Sequence, residues 1–439
     1  MLLPSLLSIA GLCDLVRGDC TSTAASSSAA WPNGPLVTAG RWIHDATGNN
    51  VTYAGANWPG AADTMLPEGL QYQSIDTIVA TIKDIGMNAV RLTYAIQMVD
   101  EIYANNGTDV SIQDVLIKAL GPAHGQTVLR QILKHNPSFS PATTRLQVFD
   151  AVAAACERHH IYVHLDNHVS RAKWCCSTSD GNAWWGDTDF DVDKWVRGLA
   201  YMARHAAARW PALVSMSLRN EPRPIFSRVA APVFSSAAVA AAQKTYSWQG
   251  WYKYVRQGAD AIHAANPDVL IYLSGLSFDT DLSAVVQGTA LAPGTQRFRL
   301  DDFAGYGASK LVLELHSYQT AATTSCSSLE RGLVRNGFSA MTGDGDGESA
   351  PRMPVVMTEF GFVMDNATYK GVYASCLAQF LPRIHAGWTI WVLAGSYYIR
   401  EGKQDYDETW GLLNHDWSAW RSPAYVADQL QPMIKASLG

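Results

Sequence analysis

Charge is scarce in this chain. Asp, Glu, Lys and Arg make up 16% of its 439 residues, the net charge is −6, and no long basic run occurs. That excludes a nucleic-acid partner, whose phosphates require clustered Lys and Arg. After residue 12 no segment has the length and apolarity of a membrane helix, so no membrane partner is expected. No compact Cys/His spacing marks a metal centre. The acidic loop at 343–348 lacks EF-hand spacing and reads as a solvated surface loop. The turn after the first strand candidate, Gly55-Ala56-Asn57-Trp58-Pro59-Gly60, is not the Gly-rich phosphate fingerprint of a dinucleotide fold. No cofactor and no metal are therefore expected. Beyond residue 30 nothing is Pro/Ser-rich or repetitive enough to separate two domains.

Hydrophobic residues reach 48%, enough for a large core at this length. Aromatics are plentiful, with 15 Trp and 18 Tyr. Trp58, Trp174, Trp184, Trp185, Trp248 and Trp410 fall in loop-like stretches near Gly, Asn or Asp. Any one of them can be loop packing. As a group they suit stacking on the apolar face of a sugar ring.

Residues 2–12 form a short apolar stretch broken by Pro4 and Ser5, too short to span a bilayer. It reads as the core of a signal peptide covering residues 1–18. Residues 19–35 read as a flexible lead-in and 36–439 as one domain. Cysteine usage agrees with export. Without Cys13, six remain: Cys20, Cys156, Cys175, Cys176, Cys326 and Cys376. A direct Cys175–Cys176 bond would be strained, so separate partners are expected for the two. Sequons at Asn50, Asn106 and Asn366 point the same way. A secreted monomer is the expectation.

Helix and strand patterns alternate along the domain. A small hairpin is expected from 36–39 and 41–44. Helical apolar spacing covers 75–85, 146–159, 192–209 and 252–265, the first ended by Gly86. Short apolar runs at 51–56, 89–93, 161–165, 213–218, 269–273, 311–315, 354–358 and 388–392 suit parallel strands covered on both faces. Their alternation with helices predicts an α/β (β/α)8 TIM barrel.

Residues at the strand ends of such a barrel share one rim. Six of the eight candidates deliver a polar or aromatic group there: Arg91, Asp166-Asn167-His168, Asn220-Glu221, His316-Ser317-Tyr318, Glu359 and Trp391. Asp166 reads as a brace. Glu314 shares the parity of His316 and Tyr318 but lies deeper, which makes it structural. Glu221 and Glu359 have the least bland reading, because a carboxylate beside a core is costly without a partner or a use. Two carboxyl groups converging on one pocket are the minimum equipment for cleaving an acetal.

With these residues the chain resembles retaining glycoside hydrolase family 5, the cellulase family. The likeness rests on Asn220-Glu221-Pro222 and Thr358-Glu359-Phe360-Gly361, extended by Leu165-Asp166-Asn167-His168, His316-Ser317-Tyr318 and Asn88-Ala89-Val90-Arg91. The resemblance implies Glu221 as acid/base and Glu359 as nucleophile, with Arg91, His168, Asn220, His316, Tyr318 and Trp391 lining the subsite. It implies a poly- or oligosaccharide substrate and a secreted retaining β-glycosidase, an endo-β-1,4-glucanase. β-1,3-Glucan, mannan, a glycolipid or a diglycosylated glucoside are alternative substrates, and a non-catalytic sugar-binding barrel is the alternative to catalysis. The Cys175-Cys176 loop and residues 223–249 depart from compact members.

Overall fold

The computed structural model describes residues 31–226, 237–320, 323–343 and 350–439. The expected signal segment, Cys13, Cys20 and most of the acidic loop lie outside these residues. The first two strands, β1 (Val37–Ala39) and β2 (Trp42–His44), pair antiparallel as the expected hairpin. Eight strands then follow: β3 (Ala54–Trp58), β4 (Ala89–Ala95), β5 (Tyr162–Val169), β6 (Leu213–Ser217), β7 (Leu270–Ser274), β8 (Leu311–Ser317), β9 (Val355–Phe360) and β10 (Gly387–Ile390). Each pairs in parallel with the next, and β10 returns to β3, closing the barrel. A second hairpin, β11 (Ser396–Arg400) and β12 (Lys403–Asp407), comes after it.

The strands are buried on both faces, as continuous apolar runs require. Helices cover them because their sequences carry local start signals and an apolar stripe. Ser74, Asp191 and Ser247 accept a backbone N–H at the helix starts before Ile75–Asp84, Val192–Arg209 and Trp248–Ala265. Thr144 and Gln147 form a capping box ahead of Arg145–Arg158. On Val192–Arg209 the buried residues Trp195, Leu199, Met202 and Ala206 recur at helical spacing. Burial of each large apolar side chain contributes about 1.5–3 kcal/mol. This helix lies close against Trp248–Ala265, where a Cβ on Gly258 would come within 2.5 Å of the Trp195 ring. Gly258→Ala would push the two helices apart.

The hairpin closes the far mouth of the barrel. Leu36 and Ile43 cluster with Ala89, Val214, Leu270, Val312 and Val356, all at the beginnings of strands. The opposite mouth, where the strands end, is left to the loops.

Two sequence expectations need correction. Strands β5, β8 and β9 run past their expected ends, so His168, His316 and Glu359 lie within strands and not just after them. The apolar runs stop earlier because Asp166, Asn167 and His168 in β5, His316 and Ser317 in β8, and Glu359 in β9 are polar although buried. Cys175 and Cys176 are bonded to each other instead of to separate partners. The physical reason is that no other described partner is left: Cys326 pairs with Cys376, and Cys156 is buried and unbonded in the helix Arg145–Arg158.

Candidate active site

Arg91 is the hub of the strand-end rim. It projects from the middle of β4 and is fully buried. Its Nη1 donates to Glu359 Oε1 at 2.6 Å and to Asn57 Oδ1 at 2.8 Å. Its Nη2 donates to Asn220 Oδ1 at 2.9 Å and meets Asp166 Oδ1 at 3.1 Å. Burial alone would lower its pKa, but the Asp166 and Glu359 charges outweigh it and raise it. The guanidinium is therefore permanently charged. Asp166 also holds His168 Nδ1 at 2.7 Å. Burial works against its charge, yet Arg91 and the His168 bond bring its pKa down to about 2. Asp166 is the brace the sequence suggests.

Glu359 receives a second hydrogen bond, 2.8 Å from the Tyr318 hydroxyl to Oε2. Burial first and the Glu359 charge second keep Tyr318 protonated, well above an ordinary phenol. Two donors thus converge on the Glu359 carboxyl group.

Glu221 is in the opposite situation. It follows β6 with a left-handed backbone (φ 50) and is 8% exposed. Burial pushes its carboxyl up to about 7, against the charges of Arg223, His168 and Arg91. Burial keeps its proton on. Glu221 Oε1 lies 3.1 Å from His316 Nδ1, and His316 Nε2 lies 3.1 Å from Thr358 Oγ1. Burial brings His316 down to about 3, so this ring is neutral. Behind it Thr358 and Ser217 hydrogen-bond Glu314 Oε2 at 3.0 and 2.8 Å. Oxygens of Glu221 and Glu359 and a ring nitrogen of His316 all fall within 4.8 Å of one another. A cation could be held by that trio on distance alone, but Arg91 already sets a positive charge against Glu359.

The eight residues expected from sequence all come to this one place. Asn220, Glu221, His168, Tyr318, Glu359 and Trp391 line a cleft of about 540 Å³, and Arg91 and His316 sit immediately beneath them. Trp391 stacks on His168 with ring centroids 5.4 Å apart. Of the loop tryptophans, Trp174 and Trp410 line the cleft. Trp58, Trp184 and Trp185 are core, and Trp248 packs against Trp251.

Sequence reasoning missed several neighbours. Ser277, Phe278 and Asp279 follow β7 in three successive left-handed conformations. Phe278 enters the cleft, while the buried Asp279 brings Oδ2 to 3.6 Å from His316 Nε2. None of these three left-handed residues is a glycine. Arg223, which directly follows Asn220-Glu221-Pro222, was passed over, and Thr358 stood in the quoted motif without a role of its own.

Residues 44–396 match the family model described as Cellulase (glycosyl hydrolase family 5). A glycosyl hydrolase 5 family protein of Chamaecyparis obtusa is 34% identical over 90% of this chain, and the chain spans 65% of that protein's length. An endoglucanase of Paenibacillus polymyxa is 20% identical, covering 91% of this chain and 88% of its own. Among solved structures, an endocellulase of Pyrococcus horikoshii complexed with cellotetraose superposes with a TM-score of 0.64 at 16% identity, over 91% of this chain and 98% of that one. At that identity the structure speaks for the barrel fold. The family match and the assembled carboxylate site agree: the chain belongs to glycosyl hydrolase family 5, the cellulase family of O-glycosyl hydrolases.

Proposed function

We propose that the protein is a secreted endo-β-1,4-glucanase working by double displacement. One observation carries the reading: Glu221 and Glu359 approach within 4.8 Å through their carboxylate oxygens, with Arg91 and Tyr318 donating to Glu359 while burial raises the pKa of Glu221. Retaining glycosidases keep the two carboxyl groups about 5–5.5 Å apart, whereas inverting ones need about 6.5–9.5 Å to admit a water.

Glu359, held ionised by Arg91 and Tyr318, attacks the anomeric carbon. Glu221, protonated below about 7, donates its proton to the departing oxygen. His316 Nδ1 orients Glu221 through Oε1 and leaves Oε2 facing the substrate. Formation of the ester removes the Glu359 charge and draws Arg91 towards Asp166. Glu221 then takes the proton of the attacking water, and the product keeps its anomeric configuration. Arg91 fixes Asn220 Oδ1 and turns Nδ2 to the cleft; one N–H of Nδ2 meets the Cys175 and Cys176 sulfurs, and the other donates to the sugar 2-hydroxyl as positive charge develops on the ring.

The glucan assignment is supported by the relatives named endoglucanase and endocellulase, and by Trp174, Trp391 and Trp410 around the cleft. Export is supported by the Cys326–Cys376 disulfide and by the exposed positions of Asn50, Asn106 and Asn366. The test is a product profile on cellohexaose, with NMR of the first anomer released. Internal cleavage and an initial β anomer are expected. An initial α anomer defeats double displacement. Release from one chain end only defeats endo action, and turnover confined to β-1,3-glucan or mannan defeats the glucan linkage.

A further inference from the structure

The loop after β5 holds a group that the reaction above does not use. Cys175 and Cys176 are bonded to each other, are half-buried, and form part of the cleft wall. Both sulfurs lie within 4.8 Å of a Glu221 carboxylate oxygen. Asn220 Nδ2 points at them, 3.7 Å from Cys175 Sγ and 3.5 Å from Cys176 Sγ.

This wall is fastened to the acid from behind. The buried Arg223 donates from Nε to Ser177 O at 2.8 Å, from Nη2 to Asp180 Oδ2 at 2.5 Å, and from Nη1 to the backbone oxygen of Glu221 at 2.8 Å. One guanidinium thereby ties the disulfide loop to the main chain of the acid. On the other side, the Arg400 guanidinium lies 3.5 Å over the Trp174 ring, and Arg400 is itself bonded to Glu408 at 2.6 Å. The two sulfurs thus sit on a wall pre-set relative to Glu221.

A disulfide has no hydrogen-bond donor, and its sulfurs are polarisable and weakly hydrated. Between Asn220 and Trp174 it presents an apolar edge suited to the C–H face of a pyranose through dispersion contact. The acid hands its proton to the departing oxygen, so the surface abutting the acid abuts the departing sugar.

We propose that the Cys175–Cys176 disulfide is a binding surface for the leaving-group sugar, taking the C–H face of the pyranose released when Glu221 protonates the glycosidic oxygen. The proposal rests on the glycosidase reading and adds the ligand of one wall.

The test compares the full-length wild type with Cys175→Ala/Cys176→Ala on cellotetraose and on β-cellobiosyl fluoride, whose leaving group is too small to touch the wall. The expected result is a fall in kcat/KM on cellotetraose at least tenfold greater than on the fluoride. Equal falls would show that the disulfide only holds Asn220 and Glu221 in place, and would overturn the proposal, as would no fall at all. A wild type that cleaves neither substrate would sink the glycosidase reading and this proposal with it; a wild type that cleaves both, with an unchanged ratio in the variant, sinks this proposal alone. Should the variant not fold, folded Cys326→Ser/Cys376→Ser protein is treated with a water-soluble phosphine. The S–S bond gives two thiols while the phosphine takes oxygen from water to become its oxide. The thiols are then carbamidomethylated, with Cys156 protected by burial. The added bulk should lower cellotetraose turnover at least tenfold relative to the fluoride; an unchanged ratio overturns the assignment.

Discussion

Across the ladder between β8 and β9, His316 pairs with Glu359 and not with Thr358. Glu314 stands opposite Val356 and Leu315 opposite Met357, and then the register skips a residue. The bulge lets two successive residues of β9 reach the same imidazole: Thr358 Oγ1 lies 3.1 Å from Nε2, and Glu359 Oε2 lies 3.7 Å from Nδ1. In an unbroken strand neighbouring side chains face opposite sides, and one of the two would be lost to the outer layer. Bulges commonly re-aim side chains beside active sites.

Replacement of the two glutamates should separate their roles. Glu359→Ala should abolish turnover of every substrate, because no covalent ester can form. Glu221→Gln should cost on the order of 10²–10⁴-fold in kcat with unactivated oligosaccharides, and much less with a glycosyl fluoride that needs little acid assistance. Steady-state kinetics on both substrates, with circular dichroism to confirm the fold, checks this. Wild-type-like turnover of unactivated oligosaccharides in either variant would defeat the assignment.

Acid function of Glu221 sets the alkaline limit of activity. Burial places its carboxyl at about 7, so kcat/KM on cello-oligosaccharides should fall as pH rises through about 7. The same shift affects stability. A folded-state pKa above the ordinary 4.5 means that the folded chain binds this proton more tightly than the unfolded one. That contribution is fully present below about 4.5 and is lost as pH rises towards 7. The melting temperature of Glu221→Gln relative to wild type should therefore climb between pH 4.5 and pH 7.5. A constant difference across that window would rule out the shift.

Tyr318→Phe removes one donor to Glu359 and nothing else of size. A hydrogen bond to a charged group is worth about 1.5–3 kcal/mol, which predicts a loss of roughly 10–100-fold in kcat/KM. Thermal unfolding should change little, because Tyr318 stands at the cleft and retains its ring contact with Trp410 at 5.9 Å. An unchanged kcat/KM would dismiss the contact.

Arg91→Met is expected to harm folding before catalysis. It would leave Asp166 and Glu359, both buried, without their common cation. Breaking a buried ion pair from one side costs about 3–5 kcal/mol. Urea denaturation should show a midpoint shift of that size, and a variant as stable as wild type would refute the hub role.

The two glutamates were legible from sequence because each sits at the end of an apolar run, and a barrel sends all such ends to one rim; Arg91, expected near such an end, lies in the middle of β4. His316 and Tyr318 were legible from their shared parity along β8. Asp279 was not: it reaches His316 through three successive left-handed residues, Ser277, Phe278 and Asp279, none of them a glycine that would signal such a backbone. The cystine was misread because partner choice depends on which cysteines lie near one another, and the described cysteines other than Cys175 and Cys176 are paired elsewhere or buried in a helix.

Local chemistry decides strand and helix identity, so the residues alone determined the alternating barrel, its caps and the strand ends that bear carboxylates. Ladder register and loop crossing involve groups from 34 to 268 positions apart, and only the folded chain decided them. The skipped residue at Thr358, the four partners converging on Arg91 and the sulfur wall beside Glu221 belong to that second class, because each depends on which strands become neighbours.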